Sequence, residues 1–232
     1  MPGAPLSTIL RVPASARGHR APLVVALHFA GGTGAEMEQA TRLTPEARRR
    51  GFVVAYPSAS ANHFWSPSDL PKLQATIAAV ERVACVDRAR VYALGMSNGG
   101  GMGALVACRM ANSVAAVTLF APATGFATDC SPSRPIPVLH VQGTSDPIVP
   151  YRDGRTFISA WAARDGCRSH PVTSRVTAKV SRLRWPGCRG GATVQHLRLD
   201  HGRHIQLFGD LRRAGVDPAA TAWRFLARYR HG

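Results

Sequence analysis

The chain has 232 residues, of which 45% are hydrophobic and 18% are charged, so it is long enough for a folded domain and too apolar to be disordered throughout. Its formal net charge is +16, and all but two of its 29 basic residues are arginines. The arginines are scattered and do not alternate with aromatic residues, which argues against a specific nucleic-acid surface. Arginine usage in a GC-rich genome explains such a distribution. We therefore predict a single domain over residues 1–232.

The sequence as written contains no recognisable export or membrane segment. Residues 1–22 lack the apolar core of a signal peptide, and no run of about 18 apolar residues occurs. This predicts no membrane span, and it is consistent with a mature form given a new Met1.

In chain order, short apolar segments bounded by Gly, Pro or polar residues predict strands at 23–27, 52–56, 91–94, 115–120, 138–141 and 194–199. Segments compatible with helices lie between and after them, at 36–50, 69–84, 98–111, 153–165 and 218–230. Thr44-Pro45 suits a helix cap or an interruption of the first helix. The alternation at 176–183 predicts a strand or hairpin beside the last strand of the sheet. Strands that alternate with helices predict an α/β fold with a mostly parallel, doubly wound sheet flanked by helices.

The segment around Ser97 carries the strongest chemical signal. Gly95, Ser97 and Gly99 form a G-x-S-x-G pattern between a predicted strand and a predicted helix, which is the nucleophile elbow of α/β-hydrolases. The turn presents the serine above the carboxyl ends of the strands, at a helix N-terminus that favours developing negative charge. We predict that Ser97 is a catalytic nucleophile. The alternative is a glycine-rich turn that only packs or holds phosphate.

A serine hydroxyl needs a general base, and in this fold the acid and then the histidine follow the serine along the chain. Asp146 follows the predicted strand 138–141, and His204 follows the last predicted strand. We therefore predict that His204 takes the proton of Ser97 and that Asp146 orients His204.

Other residues compete for these two roles. His201 is an alternative base, and Asp153 and Asp129 are alternative acids. His140 lies inside an apolar strand and is interpreted as a core histidine.

An oxyanion hole requires two backbone N–H groups that point to the developing negative charge. We predict that one comes from Asn98, directly after Ser97, and that the other comes from Ala30 in the glycine-rich loop 28–32. The alternative for this loop is a turn with no catalytic part.

At this point a family resemblance is visible. Over nearly the whole chain, the sequence resembles the esterase/polyhydroxybutyrate depolymerase family. The segments that carry the resemblance are APLVVALH, GFVVAYP, SNGGG, GTSDPIVPY, WAARDGC, WPGC and the loop that contains His204. That family also contains feruloyl and acetyl xylan esterases. The resemblance implies an α/β-hydrolase fold, hydrolysis of carboxylic esters, no cofactor, no metal and usually export from the cytoplasm.

The resemblance also assigns individual residues. It places nucleophile, acid and base at Ser97, Asp146 and His204. It places Trp65 near the acyl or alcohol pocket, where Phe29 would also contact substrate; the alternative for Trp65 is a packed core aromatic.

Cysteine pairing is only partly suggested. No zinc-like spacing occurs, and an odd number of cysteines leaves at least one thiol unpaired within the chain. The resemblance implies a Cys167–Cys188 bridge. The sequence leaves the pairing of Cys85, Cys108 and Cys130 open.

The chain also departs from the family pattern. Phe29 and Ala30 replace the usual Gly and Cys, Arg203 replaces the Gly before the catalytic histidine, and Ile205-Gln206 replaces a Trp-Pro pair. The short N-terminus predicts that the first strand of the sheet is missing. These departures bear on substrate preference and on full activity.

The sequence therefore predicts a serine carboxylic ester hydrolase that forms an acyl-enzyme. Its candidate substrates are phenolic or acetyl esters of polysaccharides, hydroxyalkanoate polyesters and small esters. The alternatives are an impaired pseudoenzyme or binding module with the same fold, and a basic surface binder. The sequence does not decide the oligomeric state.

Overall fold

The computed structural model describes residues 4–60, 62–127 and 129–231. Within them, the strands in chain order are β1 (Thr8–Arg11), β2 (Ala21–Leu27), β3 (Val53–Pro57), β4 (Val86–Met96), β5 (Ala116–Phe120), β6 (Val138–Gly143), β7 (Val172–Thr177), β8 (Val180–Trp185) and β9 (Val194–Leu199). They form one nine-stranded sheet in the order β1-β3-β2-β4-β5-β6-β9-β8-β7. The six central strands are parallel, and β1, β8 and β7 are antiparallel to their neighbours at the two edges.

Helices cover both faces of this sheet. They are α1 (Gly34–Thr41), α2 (Leu43–Arg50), α3 (Leu70–Val83), α4 (Asn98–Arg109), α5 (Tyr151–Arg164), α6 (Leu207–Arg213) and α7 (Pro218–Leu226). One hydrophobic core contains residues of α3, α4 and α5, such as Leu73, Met102 and Trp161. The other contains residues of α1, α2, α6 and α7, such as Met37 and Leu207. The prediction of a mostly parallel, doubly wound sheet flanked by helices is thus confirmed.

Burial on both faces explains the continuous apolar segments of the central strands. Every residue of β2, β3, β5 and β6 is buried. Because these strands are parallel, their carboxyl ends lie at the same edge of the sheet. The loops that follow them are therefore brought together.

The structure corrects several predicted boundaries. The helix predicted at 36–50 is two helices, because Arg42 adopts a left-handed conformation with a φ of 57° between α1 and α2. The sequence analysis missed α6 altogether, and α7 ends at Leu226 rather than at 230. The prediction of a strand or hairpin around 176–183 beside the last strand is confirmed, because β7 and β8 form a hairpin there and β8 pairs with β9. At the other edge, β1 supplies a strand before β2.

Two disulfide bonds brace the face that carries α4 and α5. Cys167 is bonded to Cys188, as the resemblance implies, and Cys108 at the end of α4 is bonded to Cys130. Cys85 is a free, exposed thiol. None of the described helices combines the length and the apolar character needed to cross a membrane.

Candidate active site

Ser97 occupies a sharp turn between β4 and α4. Its backbone has a φ of 55° and a ψ of −118°, a strained combination for a residue with a side chain. A Cβ atom on Gly95 would lie 2.1 Å from the carbonyl oxygen of Gly99, and one on Gly99 would lie 2.2 Å from the carbonyl oxygen of His28. Both positions therefore require glycine, and the close contacts hold the serine in its strained turn.

The structure brings the three predicted catalytic side chains together. The Oγ atom of Ser97 lies 2.8 Å from Nε2 of His204, and Nδ1 of His204 lies 2.7 Å from Oδ2 of Asp146. The Asp146 carboxylate can only accept a hydrogen bond, so Nδ1 of His204 is the donor and Nε2 is free to accept the serine proton. This is the order of contacts that a serine, a base and an orienting acid require.

The acid is anchored by its own loop. Oδ1 of Asp146 accepts hydrogen bonds from the backbone N–H groups of Ile148, at 2.9 Å, and Val149, at 2.8 Å. Asp146 is 7% exposed and His204 is 5% exposed. One carboxylate oxygen is thus held by the backbone, and the other is aimed at the imidazole away from bulk water.

The loops that carry the acid and the base are joined by hydrogen bonds. The N–H of Ser145 donates to the carbonyl oxygen of Gly202 at 3.1 Å. The N–H of His201 donates to Oγ1 of Thr144 at 2.8 Å. The separation between the loops that carry Asp146 and His204 is therefore fixed by these two contacts as well as by the Asp146–His204 bond.

Backbone hydrogen bonds hold the loop 28–32 and leave the N–H of Ala30 without an acceptor among the described residues. The N–H of Gly31 donates to the carbonyl oxygen of His63 at 2.9 Å, and that of Gly32 donates to the carbonyl oxygen of Phe29 at 3.0 Å. In the described part of the chain, no acceptor binds the N–H of Ala30 or of Asn98. Ala30 and Ser97 line the same cavity, and Asn98 directly follows Ser97.

His28 supports this loop, a role that the sequence analysis missed. Its Nε2 accepts a hydrogen bond from the N–H of Ala59 at 3.0 Å, so its Nδ1 carries the proton and donates to the carbonyl oxygen of Phe29 at 2.7 Å. Burial lowers the pKa of His28, which favours the neutral ring that these contacts need. A histidine at the end of an otherwise apolar strand is the only signal of this role in the sequence.

Trp65, for which a role near the pocket and a packed core aromatic are both predicted, is a buried side chain. Its side chain is 2% exposed and is absent from the lining of the cavity beside Ser97. Its indole N–H donates to the carbonyl oxygen of His28 at 2.9 Å, and its backbone N–H donates to Oδ1 of Asn98 at 2.7 Å. The Asn98 amide donates back to the carbonyl oxygen of Trp65 at 3.2 Å. Trp65 is thus a buried link between the two halves of the predicted oxyanion hole.

The cavity beside Ser97 has a volume of about 390 Å³ and mostly apolar walls. It is lined by Phe29, Ala30, Ala40, Met96, Ser97, Ile148, His204, Ile205 and Phe208. Ile148 is 56% exposed and Ile205 is 79% exposed, so they form an apolar rim. Phe29 lines the cavity, and its ring packs against Gly32.

The alternative acids and bases lie elsewhere. His201 and Asp129 are exposed, and Asp153 pairs with Arg152. His140 is fully buried, and its Nδ1 lies 2.8 Å from Nδ1 of His196, in agreement with its interpretation as a core residue.

The unusual Arg203 does not block the site. The residue is exposed, and its backbone N–H donates to Oδ2 of Asp210 at the start of α6. The replacement of the usual glycine thus leaves the Ser97–His204 contact in place.

Comparisons with known proteins identify the family. Residues 6–156 match the protein family described as Esterase PHB depolymerase. Feruloyl esterase B of Piromyces equi is 28% identical over 228 residues, a match that covers 85% of this chain and 42% of that protein. A probable feruloyl esterase C of Aspergillus flavus is 30% identical over 169 residues, or 69% of this chain and 62% of that protein. This chain thus spans less than two thirds of the length of these relatives.

Solved structures show the same fold. An acetyl xylan esterase from Aspergillus awamori superimposes with a TM-score of 0.71 and 16% identity, over 90% of this chain and 93% of that one. Esterase PE8 superimposes with a TM-score of 0.66 and 17% identity, over 96% of this chain and 100% of that one. The fold is therefore that of the α/β-hydrolases.

Proposed function

Because the chain belongs to the esterase/polyhydroxybutyrate depolymerase family, we propose that it hydrolyses carboxylic esters through an acyl-enzyme on Ser97. The observation that carries this proposal is the continuous chain of hydrogen bonds from Ser97 through His204 to Asp146, with contacts of 2.8 Å and 2.7 Å. A glycine-rich turn that only packed or held phosphate would not need a buried imidazole and carboxylate in this arrangement.

The reaction has two steps. In the first, Nε2 of His204 takes the proton of Ser97 while Oγ attacks the ester carbonyl carbon, and the N–H groups of Ala30 and Asn98 stabilise the oxyanion. The tetrahedral intermediate then expels the alcohol, which receives its proton from His204. In the second step, His204 deprotonates a water molecule that attacks the acyl-enzyme, and the acid leaves as Ser97 regains its proton.

The cavity supports esters with an apolar acyl group as substrates. His204 must reach the leaving oxygen, so the alcohol lies toward the exposed rim at Ile148 and Ile205. The acyl group then lies against the remaining apolar walls of the cavity, which include Phe29, Ala40 and Phe208. Feruloyl esters, hydroxyalkanoate polyesters and small synthetic esters all present a group of this kind, and the names of the relatives favour phenolic and acetyl esters of polysaccharides.

We also propose that the protein works in an oxidising compartment outside the cytoplasm. The two disulfide bonds support this location, because such bonds persist mainly in secreted proteins.

A panel of p-nitrophenyl esters, methyl ferulate and polyhydroxybutyrate tests the function. We expect turnover of at least one substrate, with a burst of p-nitrophenol in the wild-type protein and none in Ser97→Ala. Ser97→Ala and His204→Ala should each lower kcat by at least about 10³-fold, since members of a catalytic triad act as a unit. Turnover that survives in either variant would contradict the proposed mechanism. If the folded wild-type protein hydrolysed none of these substrates, the result would favour a binding module instead.

A further inference from the structure

A second groove, distant in the fold from the catalytic loops, gathers three arginines. It lies between β8, β9 and α7, has a volume of about 300 Å³, and contains Arg182, Arg224 and Arg228 in its wall. We call it the arginine groove. None of the residues that line it also lines the cavity beside Ser97.

These arginines lack the carboxylate partners that others in the chain have. Elsewhere, Arg11 lies 2.8 Å from Glu38 and Arg90 lies 2.7 Å from Asp87. No residue that lines the groove is Asp or Glu, and none of its three arginines forms an ion pair with a described carboxylate. Three positive charges therefore face one groove without a balancing negative charge.

Arg182 is the least satisfied of the three. Its Nε atom is buried and has no hydrogen-bond partner among the described residues. Burial lowers the pKa of Arg182, and the neighbouring Arg224 and Arg228 guanidinium groups lower it further. Holding like charges together around a buried N–H donor is unfavourable, and an anion in the groove would remove both costs.

Polar groups complete the wall of the groove. Gln195 on β9 and Thr221 on α7 also line it, and Thr221 accepts a hydrogen bond from Arg224 through Oγ1 at 3.3 Å. Guanidinium groups bind the oxygens of phosphate and sulfate with paired hydrogen bonds.

We propose that the arginine groove is a binding site for a tetrahedral oxyanion, namely a phosphate or sulfate group that is free or is carried as an ester on a larger molecule. Arg182 on β8, Arg224 on α7 and Arg228 just after α7 supply the guanidinium donors. The site is independent of ester hydrolysis, so its test does not use the catalytic reaction.

Isothermal titration calorimetry with inorganic phosphate, inorganic sulfate and glucose 6-phosphate, at a constant ionic strength set with NaCl, measures this binding. We expect one site per chain, with a Kd that rises about tenfold or more in Arg182→Gln and in Arg228→Gln, because each loses a charge-assisted hydrogen bond. Tighter binding of glucose 6-phosphate than of inorganic phosphate would identify an ester as the ligand, and the reverse order would identify the free ion.

Arg175→Gln is the matched control. It removes the same charge from β7. Arg175 pairs with Ser181, the neighbour of Arg182 on β8, so its side chain lies on the face of the sheet opposite to that of Arg182, and it does not line the groove. Arg175→Gln should keep the wild-type Kd. Without anion, Arg182→Gln should unfold at the wild-type temperature or above it, because it relieves repulsion. No saturable binding by the wild-type protein, or equal loss of binding in all three variants, would overturn the proposal.

Discussion

Gly143 and Gly202 approach each other so closely that a Cβ atom on Gly143 would lie 2.1 Å from the carbonyl oxygen of Gly202. Gly143 ends β6 shortly before Asp146, and Gly202 lies shortly before His204. The loops that carry the acid and the base can meet at this distance only because neither glycine has a side chain.

Gly143→Ala should therefore separate the two catalytic loops. The backbone of Gly202 must move away, which stretches the 2.7 Å contact between Asp146 and His204. We expect kcat to fall by about 10²-fold, since displacements of about 1 Å in a catalytic site have effects of this size. Steady-state kinetics on a p-nitrophenyl ester measure the change.

Gly125→Ala is the control, because a Cβ atom there meets nothing within 4 Å. Wild-type kcat in Gly143→Ala would show that the contact does not set the geometry.

The sequence was sufficient to predict the order of the catalytic residues and the edge of the sheet at which they meet. Apolar segments marked the central strands, and the G-x-S-x-G pattern marked the turn at Ser97. Asp146 and His204 followed from their positions after later parallel strands. These features are local in sequence, or they follow from the rule that parallel strands end together.

The features that sequence reasoning missed depend on contacts between distant segments. The indole of Trp65 binds a carbonyl oxygen at position 28, and no pattern near residue 65 records that contact. The break at Arg42 requires a left-handed arginine, which intrinsic preferences disfavour. The short helix α6 carries its buried residues over only two turns, too few for a clear periodicity.

Trp65→Phe should lower kcat without changing substrate preference. The variant keeps an aromatic ring but loses the N–H that holds the carbonyl oxygen of His28 at 2.9 Å, next to the predicted oxyanion loop. We expect kcat to fall about tenfold for every ester, less than the 10²–10³-fold typical of the loss of an oxyanion donor itself. KM should remain near the wild-type value. A KM effect confined to bulky esters would instead indicate that Trp65 contacts the substrate.

Trp161→Phe provides the control for this prediction. Trp161 is also fully buried, and its indole N–H donates to the carbonyl oxygen of Ile136 at 3.3 Å, on α5 and away from the loop 28–32. This variant should lose stability, by about 1–3 kcal/mol for an unsatisfied buried group, while kcat is unchanged. Equal losses of kcat in both variants would point to general destabilisation.

Ala40→Phe should shorten the acyl chains that the protein accepts. Ala40 on α1 lines the cavity, so a larger side chain there reduces the space that we propose for the acyl group. We expect kcat/KM for p-nitrophenyl acetate to change less than about threefold. We expect kcat/KM for p-nitrophenyl octanoate to fall at least about tenfold, because a single methylene in an apolar pocket contributes about 1–3 kcal/mol.

Gln39→Phe is the control for the acyl-chain prediction. Gln39 is the exposed neighbour of Ala40 on the same helix and does not line the cavity. It should leave the ratio of octanoate to acetate activity unchanged. If Ala40→Phe also left that ratio unchanged, the acyl group would have to lie elsewhere, for instance along the rim at Ile148.

Asp165, which follows α5, should make the protein less stable as pH rises through neutrality. Its side chain is fully buried, and its Oδ2 has no partner among the described residues, whereas Oδ1 accepts a hydrogen bond from the N–H of Ile136 at 3.3 Å. Burial raises the pKa of Asp165 to about 7, although that N–H and the Arg189 guanidinium favour the ionised form. The unfolded chain releases this proton near pH 4, so the folded state binds the extra proton between about pH 4 and pH 7.

The free energy of unfolding contributed by this group is therefore fully present below about pH 4 and is lost as pH rises through about 7. The side chain in Asp165→Asn cannot ionise. The wild-type protein should therefore lose stability relative to this variant between about pH 4.5 and pH 8. The loss is at most about 4 kcal/mol, since one pKa unit corresponds to about 1.4 kcal/mol. Urea unfolding at several pH values measures the free energy of unfolding of both proteins. A pH-independent destabilisation by the buried amide does not matter, because only the change of this free energy with pH is compared. Asp129→Asn, which replaces an exposed carboxylate, should show the same change of stability with pH as the wild-type protein. Parallel pH profiles for the wild-type protein and Asp165→Asn would mean that the Asp165 carboxylate is ionised in the fold, with its charge balanced by the Arg189 guanidinium.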